Sequence, residues 1–412
     1  MRAEIEVLLD AAGVDWQRKL ITRIIESGID LGLDGTSRLD LKISAAALEE
    51  MHSAFRLFAP FAGTPKATIF GSARTQAHDP LSLQAERVSR SLAGLGWMVV
   101  TGAGPGIMEA AAIGAGPEHS LGVSIRLPFE ELPQHAIAHN DRLVSMKYFF
   151  TRKLMLVKES LGFVCLPGGF GTMDETFELL TLQQTGKMVP VPIVLLDRPG
   201  GDFWRGFERF ATQHLEGTGM ISPGDLDRVL VTDSADAAVA EITGFWRNYD
   251  SLRWVPDRGG SEASDASGSA ATAAAYGAKR EVPDRGGNGR NGGTSGAGGA
   301  GGDAPPQDPV VVAGGGTQDP AGDQLVMRLR SAPTDEEIES LNERFGDLLL
   351  SGRIERSEPL APERADRDRL ELPRIVLTPR RRAVGELFRI IRALNELPSA
   401  PALATAPPEP RD

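Results

Sequence analysis

Leu166-Pro167-Gly168-Gly169-Phe170-Gly171-Thr172-Met173-Asp174-Glu175 is the stretch on which the architecture turns. The apolar run ahead of it, Leu161-Gly162-Phe163-Val164-Cys165-Leu166, reads as a buried strand. Behind it, Phe177, Leu179, Leu180 and Leu182 read as the inner face of a helix. Strand, glycine-rich turn and helix together aim backbone N–H groups and a positive helix end at an anion. Gly168, Gly169 and Gly171 are expected to take positive φ and let the backbone approach a phosphate. Thr172 is placed either to cap the helix or to offer a hydroxyl. Asp174 and Glu175 are expected in the first helical turn. Carboxylates there partly repel a phosphate, so they make better sense facing a part of the ligand that becomes cationic.

Upstream of this turn, strand-like and helix-like patterns alternate. Strands are expected at Ala67–Gly71, Trp97–Thr101, Leu121–Arg126 and near Leu143–Ser145. Helices are expected over Leu81–Leu95, from Ile107, and from about Met146 to Ser160. Downstream, Val191–Leu196 and Arg228–Val231 read as further strands. Short apolar strands alternating with helices predict an α/β fold, a Rossmann-like doubly wound parallel sheet covered on both faces. Ligands of such sheets sit beyond the carboxyl ends of the strands, where the glycine turns fall.

Residues 1–62 read as added N-terminal helices, with Ser44 expected to cap the stretch Ala45–Phe58. The Rossmann-like domain is expected over 63–254, with Trp254 ending the folded part. Residues 255–324 collapse into Gly, Ala, Ser, Asp and Pro, and Val-Pro-Asp-Arg-Gly-Gly occurs at 255–260 and again at 282–287. Such a segment cannot bury enough apolar surface to offset its ordering entropy, so a disordered linker is expected. A C-terminal α/β extension is expected over 325–397. It holds a helix capped at Thr334 with Ile338, Leu341, Phe345, Leu348 and Leu349 on one face, a strand at Leu372–Leu377, and a helix through Leu387, Ile390, Ile391 and Leu394. Residues 398–412 are expected to fray.

The chain has 412 residues and a formal net charge of −12, which argues against broad nucleic-acid binding through phosphates. Its single cysteine, Cys165, excludes an intrachain disulfide framework and reads as a small apolar strand residue. Neither a signal-peptide core nor a membrane-length apolar run is visible, so a cytoplasmic protein without membrane contact is expected.

From Pro167 to Glu175 the fixed positions of P-G-G-x-G-T-x-x-E are all present, and here the chain resembles the LOG (Lonely Guy) family. These phosphoribohydrolases, long labelled lysine decarboxylases, cleave nucleoside 5′-monophosphates, cytokinin ribotides among them, to free base and ribose 5-phosphate. The resemblance implies Arg152 and Glu175 as the catalytic pair. Arg152-Lys153 matches the basic pair of a Met-x-x-Arg-Lys element, although the spacing from Met146 departs from it. Substrate contacts are implied for Gly71 and Ser72 after the first strand, for Gly104, Gly106 and Met108 in a second glycine turn, for Lys153, and for Pro167, Gly168, Gly169, Gly171, Thr172 and Asp174. A homo-oligomer is implied as well.

The physical case stands beside the resemblance. N-glycosidic cleavage passes through an oxocarbenium-like ribose, so a fixed carboxylate near C1′ stabilises growing positive charge or orients water. Arg152 would hold ribose hydroxyls or phosphate and keep Glu175 ionised and aimed. Asp174 either holds the ribose or merely favours the helix N-terminus. Arg74 either faces a phosphate or base or points to solvent. This chemistry needs no cofactor and no metal; His135 and His139 lack a third ligand for zinc. Two other readings are weaker. A dinucleotide oxidoreductase would show G-x-G-x-x-G after the first strand, which is missing. A non-catalytic nucleotide or cofactor carrier or sensor on the same fold would not need both Glu175 and Arg152.

Overall fold

The computed structural model describes residues 1–126, 140–255, 323–380 and 384–402. The expected linker, apart from its first residue and its last two, therefore lies outside the described residues, as do His135, His139 and residues 403–412. The chain divides into two compact units, Met1–Phe55 and Arg56–Asp412.

The first unit holds α1 (Arg2–Ala11), α2 (Arg18–Leu33) and most of α3 (Arg38–Phe58). Ile5 and Leu9 of α1 are buried, and Arg18 ties the helices by pairing with Glu6 and Asp10. Ser44 does not cap a helix. It lies inside α3, where its hydroxyl donates to Asp40 O; Ser37 does the capping, accepting from Asp40 N at 3.2 Å.

The second unit is built on a seven-stranded sheet of order β4-β3-β2-β1-β5-β6-β7, every neighbouring pair parallel. The strands are β1 (Lys66–Phe70), β2 (Met98–Thr101), β3 (Ser120–Ile125), β4 (Leu143–Met146), β5 (Gly162–Cys165), β6 (Ile193–Leu196) and β7 (Val229–Thr232). Helices α4 (Pro80–Gly94), α5 (Ile107–Ala115), α6 (Phe149–Lys158), α7 (Phe170–Gln184), α8 (Phe203–Phe210) and α9 (Ala235–Gly244) accompany them. The expected doubly wound α/β sheet is present. Its central strands are buried along their whole length, as parallel strands covered on both faces must be. From β1 the chain steps outward through β2 and β3 to β4, then returns to place β5 on the other side of β1. The switch point of the sheet thus falls between β1 and β5.

Three helix readings need correction. Met146 belongs to β4, and the helix after it starts only at Phe149. In α7 the buried positions are Thr172, Thr176, Leu179 and Gln183, whereas Phe177 is exposed. The small and polar side chains of that face hid it from a search for apolar periodicity. Leu349 does not continue the C-terminal helix but opens a strand.

Trp254 does not end the folded part either. Strand β8 (Tyr249–Val255) joins a second, antiparallel sheet of order β10-β11-β9-β8, with β9 (Gln324–Leu329), β10 (Leu349–Arg356) and β11 (Arg374–Pro379). With α10 (Asp335–Phe345), α11 (Ala361–Asp366) and α12 (Val384–Glu396), this makes a βαβαβα unit to which β8 adds an edge strand from upstream in the chain. Thr334 caps α10 in a full capping box with Glu337, as expected. Residues 398–402 do not fray: Ser399 N donates to Glu337 Oε1 and Arg247 Nε to Pro401 O.

The two sheets are joined by buried polar contacts. Asn395 Oδ1 accepts from Asn248 N at 2.7 Å and Tyr249 N at 2.8 Å, while its Nδ2 donates to Phe245 O at 2.5 Å. Asn395→Ala leaves those groups buried and unpaired, so a loss of about 2–4 kcal/mol is expected in urea unfolding. A midpoint unchanged from wild type would show that this seam does not hold the unit together.

Candidate active site

Three strand-to-helix turns meet at the switch point. Leu166 N donates to Phe70 O at 2.9 Å, Ser72 N to Pro167 O at 3.3 Å, and Ile107 N to Ser72 O at 3.1 Å. The Gly71-Ser72 turn is thereby clamped between the other two. The packing leaves no room for side chains: a Cβ on Gly168 would stand 2.3 Å from Thr172 Oγ1, and one on Gly106 would stand 2.4 Å from Ser72 O. Gly71 abuts Ile107 and Gly104 abuts Met108 in the same way. Gly106 has a φ of +69°, but none of Gly168, Gly169 and Gly171 has a positive φ, contrary to expectation. Gly168 serves close approach, while Gly169 and Gly171 border open space.

Helix α7 starts at Phe170 with Gly169 as its N-cap and no side-chain cap. Thr172 therefore is not the cap. It is a buried residue of the first turn, and its carbonyl accepts from Thr176 Oγ1 at 2.8 Å. The first N–H groups of a helix have no partner within it, so this uncapped end presents donors and partial positive charge to an anion. Asp174 and Glu175 fall one turn further in than expected. That distance weakens the repulsion between Glu175 and an anion at the helix end.

Glu175 meets Arg152 of α6, with Nη1 to Oε1 at 3.2 Å; both side chains are largely buried. Arg152 Nε donates to Val123 O, inside β3, at 2.9 Å, which fixes the plane of the guanidinium. Its Nη2 faces the second glycine turn, where a Cβ on Gly102 would stand 2.0 Å away. Burial pushes the Glu175 carboxyl up to about 7; Arg152 opposes that shift and Asp174 adds to it. Burial likewise lowers Arg152, with Glu175 opposing. For each partner the cost of desolvation exceeds what one contact of 3.2 Å returns. A carboxylate held in this way gains from a cationic neighbour.

Lys153, on the next position of α6, pairs with Glu178 Oε2 at 2.7 Å and Asp174 Oδ2 at 3.1 Å. Burial pulls its ammonium down, but the bonds to Glu178 and Asp174 outweigh this and its value is raised. Lys153 and Asp174 thus link α6 to α7 beside the Arg152–Glu175 pair. Arg74 is exposed, with its N–H donating to Ser72 Oγ. Cys165 is buried and its thiol is pushed up to about 12 by desolvation, which leaves it inert at neutral pH. Among the described residues no cluster of His, Cys, Asp or Glu can hold a metal, and no helix is long and apolar enough to cross a membrane.

Sequence reading missed the Val123 carbonyl, Gly102 and Glu178. The first is a backbone atom and carries no residue signal. Gly102 opens the second glycine turn, so its position was visible but its task of admitting Arg152 was not.

Residues 106–242 match the family model described as "Possible lysine decarboxylase". A cytokinin riboside 5′-monophosphate phosphoribohydrolase of Mycobacterium tuberculosis is 32% identical over 171 residues, covering 40% of this chain and 88% of the relative. One of the same name from Arabidopsis thaliana is 26% identical over 206 residues, covering 49% and 90%. Among solved structures, a molybdenum cofactor binding protein from Rippkaea orientalis aligns at 22% identity over 42% of this chain and 91% of its own, with a TM-score of 0.29. Through the first of these relatives, matched over most of its length, the chain belongs to the LOG family, that of the cytokinin riboside 5′-monophosphate phosphoribohydrolases.

Proposed function

We propose that this protein hydrolyses the N-glycosidic bond of nucleoside 5′-monophosphates, giving free base and ribose 5-phosphate. The observation that carries the reading is the buried Arg152–Glu175 pair set one helical turn behind the uncapped, glycine-lined end of α7. The 5′-phosphate takes the N–H groups of that helix end and the turns around Gly71, Ser72, Gly168 and Gly169. Binding energy spent there places C1′ against the carboxylate. As the bond from C1′ to the base nitrogen breaks, the electron pair leaves with the base and positive charge grows on the ribose. Glu175 stabilises that charge and takes the proton of the water whose hydroxyl adds to C1′; the leaving base nitrogen takes a proton from solvent and Glu175 returns its own to solvent, so one water is consumed per bond broken. Arg152 is the positioning residue for Glu175, and its Nη2 faces the ligand side.

Base release from AMP, GMP, CMP, UMP and isopentenyladenosine monophosphate, followed by chromatography, tests the reading and ranks the bases. Tight nucleotide binding with no base released from any of them would sink it. A finer test lies at Gly102. In Gly102→Ala the new methyl must displace the buried Arg152 guanidinium from Val123 O and Glu175, so folding stability should fall by about 1–3 kcal/mol while the chain stays folded. The rate, however, should fall roughly a hundredfold because Glu175 loses its guide. Full activity in that variant would show that the observed Arg152 placement is not the working one.

A homo-oligomer belongs to the same proposal. Phe149, Phe150, Phe170 and Phe177 are exposed on α6 and α7 beside the site, with Phe170 at 97% exposure. Exposed apolar rings on these two helices favour burial against another copy. Sedimentation equilibrium decides it, and a monomer at micromolar concentration would refute it.

A further inference from the structure

Helix α7 carries Glu175 on little apolar anchorage. Its buried positions are Thr172, Thr176, Leu179 and Gln183, so Leu179 is the one large apolar side chain that it fully buries. A helix seated on a sheet usually buries a stripe of such residues. Polar ties at both ends make up the difference. Toward its start, Lys153 of α6 spans Asp174 and Glu178. At its far end Gln183 Nε2 donates to Val191 O at 2.7 Å, and Gln184 Nε2 donates to Asp225 Oδ2 at 2.5 Å.

Asp225 stands in the turn that precedes β7. Its Oδ1 meets Arg228 at 2.7 Å, with both side chains largely buried, and its Oδ2 also accepts from Ser222 N at 3.0 Å. Helix α12 of the C-terminal unit packs onto the same turn. A Cβ on Gly385 would stand 3.0 Å from Gly224 O, and Arg392 donates to Asp227 O at 2.7 Å while pairing with Glu241 at 3.0 Å. Closing its own turn is the simplest task for Asp225, and the bonds to Ser222 and Arg228 accomplish it. The bond from Gln184 is not needed for that. It joins α7, the turn and α12 in series.

We propose that Asp225 is a positioning residue for glycosidic cleavage: it fixes the far end of α7 against the C-terminal unit and so sets where Glu175 stands. The inference rests on the reaction proposed for Glu175. Glu175 and Gln184 lie on one helix, separated by about 14 Å of continuously hydrogen-bonded backbone that moves as a rod. With a single large apolar contact to resist sliding, a change at Gln184 reaches the carboxylate. An offset of about 1 Å at a reacting group lowers a rate on the order of a hundredfold. The C-terminal unit thereby takes part in the reaction without lending a side chain to the site.

Single-turnover base release and equilibrium binding of AMP, measured on full-length variants, test it. Asp225→Ala removes the acceptor, and kcat should fall roughly tenfold. Gln184 is exposed, so substitutions there leave the core intact. Gln184→Glu sets a carboxylate against Asp225 and should lower kcat about fivefold, whereas Gln184→Lys keeps a donor and should stay within about twofold of wild type. AMP affinity should hold within about threefold in all of them, because the N–H groups at the start of α7 travel with the helix. Arg253→Ala, which breaks the pairs with Asp366 and Asp368 inside the C-terminal unit, reports the effect of lost stability alone and should leave kcat within about twofold. Equal kcat in Gln184→Glu and Gln184→Lys would overturn the proposal even if Asp225→Ala did not fold. A loss in Arg253→Ala as large as that in Asp225→Ala would overturn it as well. Absence of base release from the wild type would defeat the reaction reading, and this inference with it; activity in the wild type with no difference among the variants defeats the inference alone.

Discussion

Glu175→Gln is expected to lower kcat for base release by roughly a thousandfold or more while nucleotide affinity stays within a few-fold of wild type. The reason lies in the separation seen in the structure. In the proposed reading the phosphate takes the backbone N–H groups of the α7 end and of the glycine turns, whereas Glu175 sits one turn deeper. Glutamine keeps the shape and can still accept from Arg152, but it carries no charge and cannot take a proton from water. Ground-state binding survives and transition-state stabilisation does not. Equilibrium binding of AMP together with single-turnover base release separates the two. A variant retaining a tenth of the wild-type rate would remove Glu175 from the chemistry and leave a nucleotide carrier as the better description.

The glycine-lined end of α7 was legible because its close packing restricts residue types. Only glycine fits where a Cβ on residue 168 would strike Thr172, so P-G-G-x-G-T announces the turn in the sequence itself. Glu175 was legible as a carboxylate without a structural reason to be there. Arg152 was harder, since an arginine on a helix is usually a surface residue. Its burial depends on Val123 O, in a strand 29 residues away, and only the family resemblance singled it out. The C-terminal sheet was hidden for other reasons. Strand β8 carries Asp250, Ser251, Arg253 and Trp254, and its charges are satisfied by partners more than a hundred residues away, Arg253 by Asp366 and Asp368, and Asp250 by Arg369. Read locally, such a segment looks like an exit from the fold. In β10 the interior of the strand offers only Ile354 to the core, too little for an alternation to be seen.

Arg152→Gln is expected to move the pH dependence rather than simply scale it. In the wild type, Glu175 must be ionised to act, and burial holds its carboxyl at about 7, so kcat/KM should rise with pH through that region. Arg152 is the main influence holding the value down. Without it the acidic limb moves to higher pH, so the loss of activity should be largest near pH 6 and smaller near pH 9. Stability follows with a definite sign. A carboxyl whose folded value lies above its unfolded one costs stability as it ionises, so the folded state weakens as pH rises from about 4.5 to about 7 and is level beyond. That penalty is on the order of 3 kcal/mol in wild type and larger in Arg152→Gln, where the buried carboxylate has lost its partner. Adding Glu175→Gln to Arg152→Gln removes the lone charge and should restore stability at pH 8 to at least the wild-type level, with no return of activity. Thermal unfolding of the four proteins at pH 5 and pH 8, beside their pH–rate profiles, distinguishes this from general damage. If Arg152→Gln lost the same stability at both pH values and its acidic limb stayed in place, Arg152 would be a packing residue and the coupling between the two side chains would be absent.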